Sequence, residues 1–175
     1  MSADDPILRA AIRDVPDFPK VGVLFKDITP LLADGALLRR AIDHFCETAR
    51  EYGAQKIAGI DARGFLFGAT VADRMGLGFV PIRKKGKLPF TTRSVAYKLE
   101  YGESAIEVHT DAFRPGEKVA LIDDLLATGG TASAAIRLIQ ECGAVVAAAQ
   151  FLIELEFLEG RLALAPVPVV PILRF

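Results

Sequence analysis

Two periods of hydrophobic spacing alternate along this 175-residue chain. The clearest helical period covers Asp34–Tyr52, where Leu38, Ala41, Ile42, Phe45 and Ala49 form one apolar stripe. Asp34 can accept the first free backbone N–H groups of that helix, and Gly53 stops it. Weaker helical patterns cover Pro6–Arg13, Phe65–Met75 and Thr131–Cys142, the last with Ala132, Ala135, Ile136 and Ile139 on one face. Between them lie apolar runs of strand length: Lys56–Ile60, Phe79–Ile82, Val119–Ile122 and Val145–Leu155. Ala105–His109 alternates like an exposed strand. Strands that alternate with helices predict an α/β fold with a mostly parallel, twisted central sheet flanked by helices.

The interruptions are as informative as the runs. Val15–Leu32 is broken by Pro16, Pro19, Gly22 and Pro30, which predicts an ordered loop with one extended piece, Val21–Phe25. Pro89–Gly102 is polar and has no core period, so a mobile lid is expected there. Glu159–Ala163 reads as a short helical piece. Pro166–Leu173 is apolar but carries three prolines, so it is an edge strand or an extended tail. No repeat, low-complexity tract or linker divides the sequence, and residues 1–175 are expected to form a single domain.

Composition narrows the class. Apolar residues make up 51% and charged residues 25%, a globular balance, and the net charge of −1 gives no reason to expect nucleic acid as a partner. The uncharged runs are too short to span a bilayer, so no membrane is expected either. The opening residues have no basic start and no apolar run, and no signal peptide is expected. Cys46 and Cys142 each fall on an apolar helical face, which predicts buried thiols in a reducing, cytoplasmic setting. His44 lies on the polar side of its helix and His109 faces solvent or a neighbouring strand. Neither is given any chemistry.

The candidate chemistry gathers at strand ends. Val119–Ile122 runs into two adjacent carboxylates, Asp123 and Asp124, and then a turn of small residues: Ala127, Thr128, Gly129, Gly130 and Thr131. Glycines allow backbone N–H groups to close on an anion, and a helix begins directly after them. No Lys follows the glycines, so this is not the P-loop. Lys56–Ile60 repeats the layout, ending in Asp61, Ala62, Arg63 and Gly64 before a second helix. Phe79–Ile82 delivers Arg83, Lys84, Lys85 and Lys87. One turn can hold a phosphate, and two carboxylates can accept hydrogen bonds from a pair of sugar hydroxyls. The basic groups can hold a second, more highly charged group such as diphosphate with Mg²⁺. The implied ligand is a ribose with phosphates at both ends.

VALIDDLLATGGTA resembles the phosphoribosyl-diphosphate motif of the type I phosphoribosyltransferases. DFPKVGVLFKDITPLL, GIDARGFLFGA, GFVPIRKKGKLP, YKLEYG and the closing LAPVP resemble, in order, the adenine-specific members of that family. The resemblance implies the family fold with a flexible lid loop and a small N-terminal hood, and a homodimer as the assembly. It implies transfer of a 5-phosphoribosyl group from phosphoribosyl diphosphate to N9 of adenine, giving AMP and diphosphate. Carried over position by position, Ala127, Thr128, Gly129, Gly130 and Thr131 would hold the 5-phosphate. Asp123 and Asp124 would take the ribose hydroxyls. Asp61, Ala62, Arg63 and Gly64, with Arg83, Lys84 and Lys87, would hold diphosphate. Leu24, Phe25, Lys26 and Leu125 would form the base slot, and Glu100 in the lid would accept or relay the adenine proton. Mg²⁺ would be bound mainly through the donor substrate, so no residue is assigned as a direct metal ligand. Position 26 is Lys where the family pattern has Arg, which keeps the charge and loses the planar fork. Two alternatives stay open at this point: an oxopurine phosphoribosyltransferase, and a nucleobase-sensing regulator of the same fold without turnover.

Overall fold

The computed structural model describes residues 4–98 and 103–175. The chain opens with helix α1 (Pro6–Ala10), then strands β1 (Arg13–Pro16) and β2 (Leu24–Asp27) and helix α2 (Thr29–Ala33). Next come α3 (Gly35–Glu51), β3 (Lys56–Ile60), α4 (Gly64–Met75), β4 (Gly78–Lys84), β5 (Thr92–Lys98) and β6 (Glu103–His109). The second half holds β7 (Lys118–Leu126), α5 (Gly130–Glu141), β8 (Val145–Glu154), two 3₁₀ turns (Glu156–Leu158 and Gly160–Leu164) and β9 (Val169–Arg174).

Among the described residues the main sheet has seven strands in the order β5-β6-β4-β3-β7-β8-β9. The run from β4 to β9 is parallel, and β6 and β5 add antiparallel neighbours at one end. Its central strands are buried on both faces, which is why they read as continuous apolar runs rather than alternating ones. Ile57, Ala120, Ile122 and Leu152 face α3 and α4, while Ala58, Ile60, Leu121 and Phe151 pack on the side of α5. Helix α3 follows its sequence pattern closely. Asp34 Oδ1 accepts the N–H groups of Ala36 and Leu37 at 2.8 and 3.1 Å, and Ala41, Ile42, Phe45 and Ala49 are buried.

The structure departs from the sequence expectations in five places. The first helix ends at Ala10, because Arg13 begins β1 and pairs with Asp27. The expected loop over 15–32 contains a two-stranded antiparallel hood, β1–β2, and helix α2, whose Pro30 sits in the first turn where proline is tolerated. The Pro89–Gly102 connection contains β5, paired with β6 in register from Thr92↔His109 to Lys98↔Glu103. Consequently β6 is covered on both sides, and Ile106, Glu107 and Val108 are buried rather than exposed. Strand β7 runs on through both aspartates to Leu126, so the acid pair lies inside the strand rather than after it. The proline-rich tail, by contrast, takes one of the two forms expected of it, edge strand β9, with Pro171 opposite Phe151.

His44 is also not simply solvated. Its Nε2 lies 2.9 Å from Asp5 Oδ2, which also accepts from Arg40 Nε at 2.5 Å, while Asp5 Oδ1 caps α1 at Ile7 and Leu8. Burial would raise the Asp5 pKa, but the hydrogen bonds from His44, Arg40 and the Leu8 N–H outweigh it and bring it down to about 2. A carboxylate with a depressed pKa stabilises the fold above its unfolded value and loses that contribution as pH falls through its folded value. The Asp5 cluster is therefore expected to contribute at most about 2 kcal/mol near neutral pH, lost between about pH 4 and pH 2. Denaturant midpoints of wild type and Asp5→Asn should differ clearly at pH 6 and converge near pH 2.

Candidate active site

A cleft of about 740 Å³ opens at the C-terminal ends of β3, β4 and β7. This is where a mostly parallel sheet presents loops rather than side-chain layers, and where ligands bind in open α/β folds. Three strand-to-loop transitions build it. After β7, Ala127 to Thr131 line the wall, with Gly129 at φ 83°, a left-handed conformation that glycine adopts without steric cost. Helix α5 starts at Gly130, so its first N–H groups face the same space. After β3, Asp61, Ala62 and Arg63 line the opposite wall, and the Asp61–Ala62 peptide is cis. Gly64 opens α4 directly behind Asp123.

The acid pair stands between the two walls. Asp124 is nearly fully buried at 6% exposure, and its Oδ2 accepts from Arg63 Nε at 2.5 Å. The Asp123 Oδ1 accepts the Asp124 N–H at 2.9 Å. Burial, and then the neighbouring Asp124 charge, push the Asp123 pKa well above the ordinary carboxylate value. The cleft therefore holds one carboxylate hydrogen-bonded to a guanidinium and, beside it, one that holds its proton more tightly than an ordinary carboxylate.

The cations divide. Lys84 lines the cleft, whereas Arg83 turns to Asp61 Oδ2 at 3.4 Å and to the Lys87 carbonyl at 3.1 Å. Lys87 is exposed and does not line the cleft. Beneath this loop lies Glu107, which the sequence pattern gave no role. It is 3% exposed, its Oε1 accepts the N–H groups of Lys87 and Leu88 at 2.9 Å each, and its Oε2 accepts from the Thr92 hydroxyl at 3.2 Å. Burial would raise its pKa, but the loop N–H groups outweigh that and lower it. A charged carboxylate thus pins the basic loop from inside.

The residues expected at the base slot are only partly brought together. Leu125 lines the cleft. Phe25 sits beside it on β2, with its ring 5.8 Å from the Arg63 guanidinium carbon and edge-on to Phe18 at 5.1 Å. Leu24 is half exposed. Lys26 points elsewhere, with Nζ 2.6 Å from Asp14 Oδ1 and 4.2 Å above the Phe175 ring. Glu100 lies outside the described residues. Tyr97, Ser104, Leu126 and Leu158 line the cleft without having been singled out as site residues. Tyr97 and Ser104 are cross-strand partners in the β5–β6 hairpin, and the Val95/Tyr97 alternation was the available signal.

Comparison with known proteins gives a consistent result. A family model described as "Phosphoribosyl transferase domain" matches residues 31–154. The adenine phosphoribosyltransferase of Nitrosococcus oceani is 56% identical over 154 residues, spanning 88% of this chain and 90% of that protein. The crystal structure of the enzyme of that name from Thermoanaerobacter pseudethanolicus is similar with a TM-score of 0.93 at 45% identity, covering 97% of this chain and 98% of that one. The Saccharomyces cerevisiae structure was solved with an imino-altritol bisphosphate and adenine. It matches with a TM-score of 0.90 at 38% identity, over 95% of this chain and 97% of that one.

Proposed function

The chain belongs to the phosphoribosyltransferase family, in its adenine-specific branch, and from that premise we propose how its cleft works. The protein transfers the 5-phosphoribosyl group of phosphoribosyl diphosphate to N9 of adenine, giving AMP and diphosphate in purine salvage. One observation carries the assignment of roles: an acid pair, with Asp124 buried, shares one cleft with a glycine turn at a helix start and with Arg63 and Lys84.

The N–H groups of Ala127 to Thr131, with the Thr128 and Thr131 hydroxyls, hold the 5-phosphate. Asp123 and Asp124 accept the ribose 2- and 3-hydroxyls and face C1, where positive charge develops as the bond to diphosphate breaks. Arg63 and Lys84 take up the charge of the departing diphosphate, and Asp61, Ala62 and Gly64 shape the loop that receives it. The C1–N9 bond forms as the C1–O bond breaks. The N9 proton leaves through Glu100 to solvent. Leu125 and Phe25 flank the base.

Mg²⁺ would be held mainly through the diphosphate and ribose oxygens of the bound donor, in a cleft whose acidic lining residues Asp61, Asp123 and Asp124 suit a hard cation without being its direct ligands. When bound, it neutralises charge on the leaving group. The 175 residues act as one domain, in the cytoplasm, as suggested by two free thiols at Cys46 and Cys142. Exposed apolar residues of the N-terminal segment, Ile7, Phe18 and Val21, are compatible with a homodimer. Incubation with phosphoribosyl diphosphate, Mg²⁺ and each of adenine, hypoxanthine and guanine tests the activity. AMP and diphosphate should form from adenine in equal amounts. No AMP from adenine, or faster turnover of an oxopurine, would overturn the assignment.

A further inference from the structure

The glycine turn does not stand alone. Its back is covered by the two 3₁₀ turns after β8, a segment that begins just past the last residue matched by the family model. Gly160 opens the second turn and is buried against the loop. A Cβ at position 160 would lie 2.0 Å from the Ala127 carbonyl oxygen and 3.0 Å from the Gly129 nitrogen. The approach is mutual, since a Cβ at Gly129 would lie 2.4 Å from the Gly160 oxygen. Two backbone segments, more than 30 residues apart in sequence, therefore meet with no room for a side chain on either. The nearest atom in each case is a backbone carbonyl oxygen, which cannot rotate away.

The approach is held in place from outside. Glu159, directly before Gly160, adopts a left-handed conformation at φ 51°, which turns the chain inward. Arg161, directly after it, closes on Glu154 at the end of β8, with Nε 2.7 Å from Oε1 and a second bond from Nη2 to Oε2. Glu154 is 1% exposed while the Arg161 side chain reaches solvent, and the bidentate contact fixes the geometry of the pair. Leu158, from the first 3₁₀ turn, lines the cleft itself.

We propose that Gly160 is a positioning residue for the transfer reaction. Clamped by the Glu154–Arg161 pair, it forms the wall against which Ala127 to Gly129 fold, and its missing side chain sets where the 5-phosphate N–H groups point. The proposal rests on the reading of Ala127 to Thr131 as the 5-phosphate cradle. Gly160→Ala pushes the Ala127 carbonyl outward and tilts the N–H groups that follow. It leaves Arg63, Lys84 and the acid pair in place. The effect should therefore be selective for the end of the ligand that carries the 5-phosphate.

The test measures three quantities in wild type, Gly160→Ala, Arg161→Met and Thr128→Ala: binding of ribose 5-phosphate, binding of diphosphate with Mg²⁺, and the KM for phosphoribosyl diphosphate. Gly160→Ala should weaken ribose 5-phosphate and raise the donor KM about tenfold or more, since a displacement of this size at a reacting site is costly. Diphosphate binding should not change. Arg161→Met, which releases the clamp but leaves Gly160 itself intact, should give the same split to a smaller degree, and Arg161→Lys, which keeps the charge but loses the planar fork, should recover only part of it. If Gly160→Ala fails to fold, Arg161→Met reads the same split. Equal weakening of ribose 5-phosphate and diphosphate would mean a general structural role and overturn the proposal. Weakened ribose 5-phosphate in Thr128→Ala but in neither segment variant would overturn it while sparing the cradle. Undiminished ribose 5-phosphate binding in all variants would overturn both.

Discussion

Asp124→Asn is expected to lower kcat/KM for phosphoribosyl diphosphate by about 10²–10³-fold, the range seen when one preorganised electrostatic group is removed from an active site. The size follows from where Asp124 sits. Its carboxylate is nearly fully buried and already takes one charge-assisted hydrogen bond, from Arg63 at 2.5 Å. Asn presents an NH₂ group where either the guanidinium or a ribose hydroxyl needs an acceptor, leaving donors facing donors in a site with little water. It also removes negative charge opposite the carbon that becomes positive. A second readout separates this from simple misfolding. The Asp123 pKa is raised by burial and then by the Asp124 charge, so removing that charge lowers it. Any acid limb of the pH–rate profile that reports Asp123 should move to lower pH in the variant. An unchanged kcat/KM would remove Asp124 from the ribose site.

Arg63→Ala is expected to cost about 10²-fold in kcat/KM for the donor and to abolish product inhibition by diphosphate, while ribose 5-phosphate still binds. Arg63 is half exposed in the cleft wall and joined to Asp124, so its loss has two consequences. A cation disappears from the leaving-group side, and a buried carboxylate loses its partner. A double-mutant cycle distinguishes them. If the cost arose only from stranding Asp124, Arg63→Ala would add nothing in an Asp124→Asn background. A diphosphate-binding role instead requires a further loss in the double variant. Arg63→Lys should recover little, because Lys lacks the planar fork that can bridge carboxylate and diphosphate oxygens.

What was legible in the sequence was local. Helix α3 carries its stripe, its Asp34 cap and its Gly53 stop within 20 contiguous residues, and the structure reproduces all three. The same holds for the glycine turn and for the Asp61–Gly64 turn, because each is one strand end and one helix start, although the acid pair lies within β7 rather than after it. Features that depend on partners far away in sequence were not legible. The hood strand β1 is four residues whose pattern means little until β2 pairs with it, and β5 is polar on the face turned away from α5. Lys26 looked free to meet a ligand, but Asp14 and Phe175 converge on it from separate segments. Glu107 looked like a surface residue of an exposed strand until β4 and β5 enclosed it and the Lys87–Leu88 loop folded over it. The close approach of Gly160 to Ala127 leaves no periodic trace at all, since it consists of two absent side chains.

The central claim is that a single cleft holds both ends of the donor, with the glycine turn on the 5-phosphate and the acid pair on the ribose. A crystal structure with AMP tests it most directly. The AMP phosphate should accept hydrogen bonds of about 3 Å from the N–H groups of Thr128 to Thr131, with both ribose hydroxyls on Asp123 and Asp124. An AMP phosphate seated on the Arg83–Lys87 loop, with the glycine turn untouched, would contradict the account.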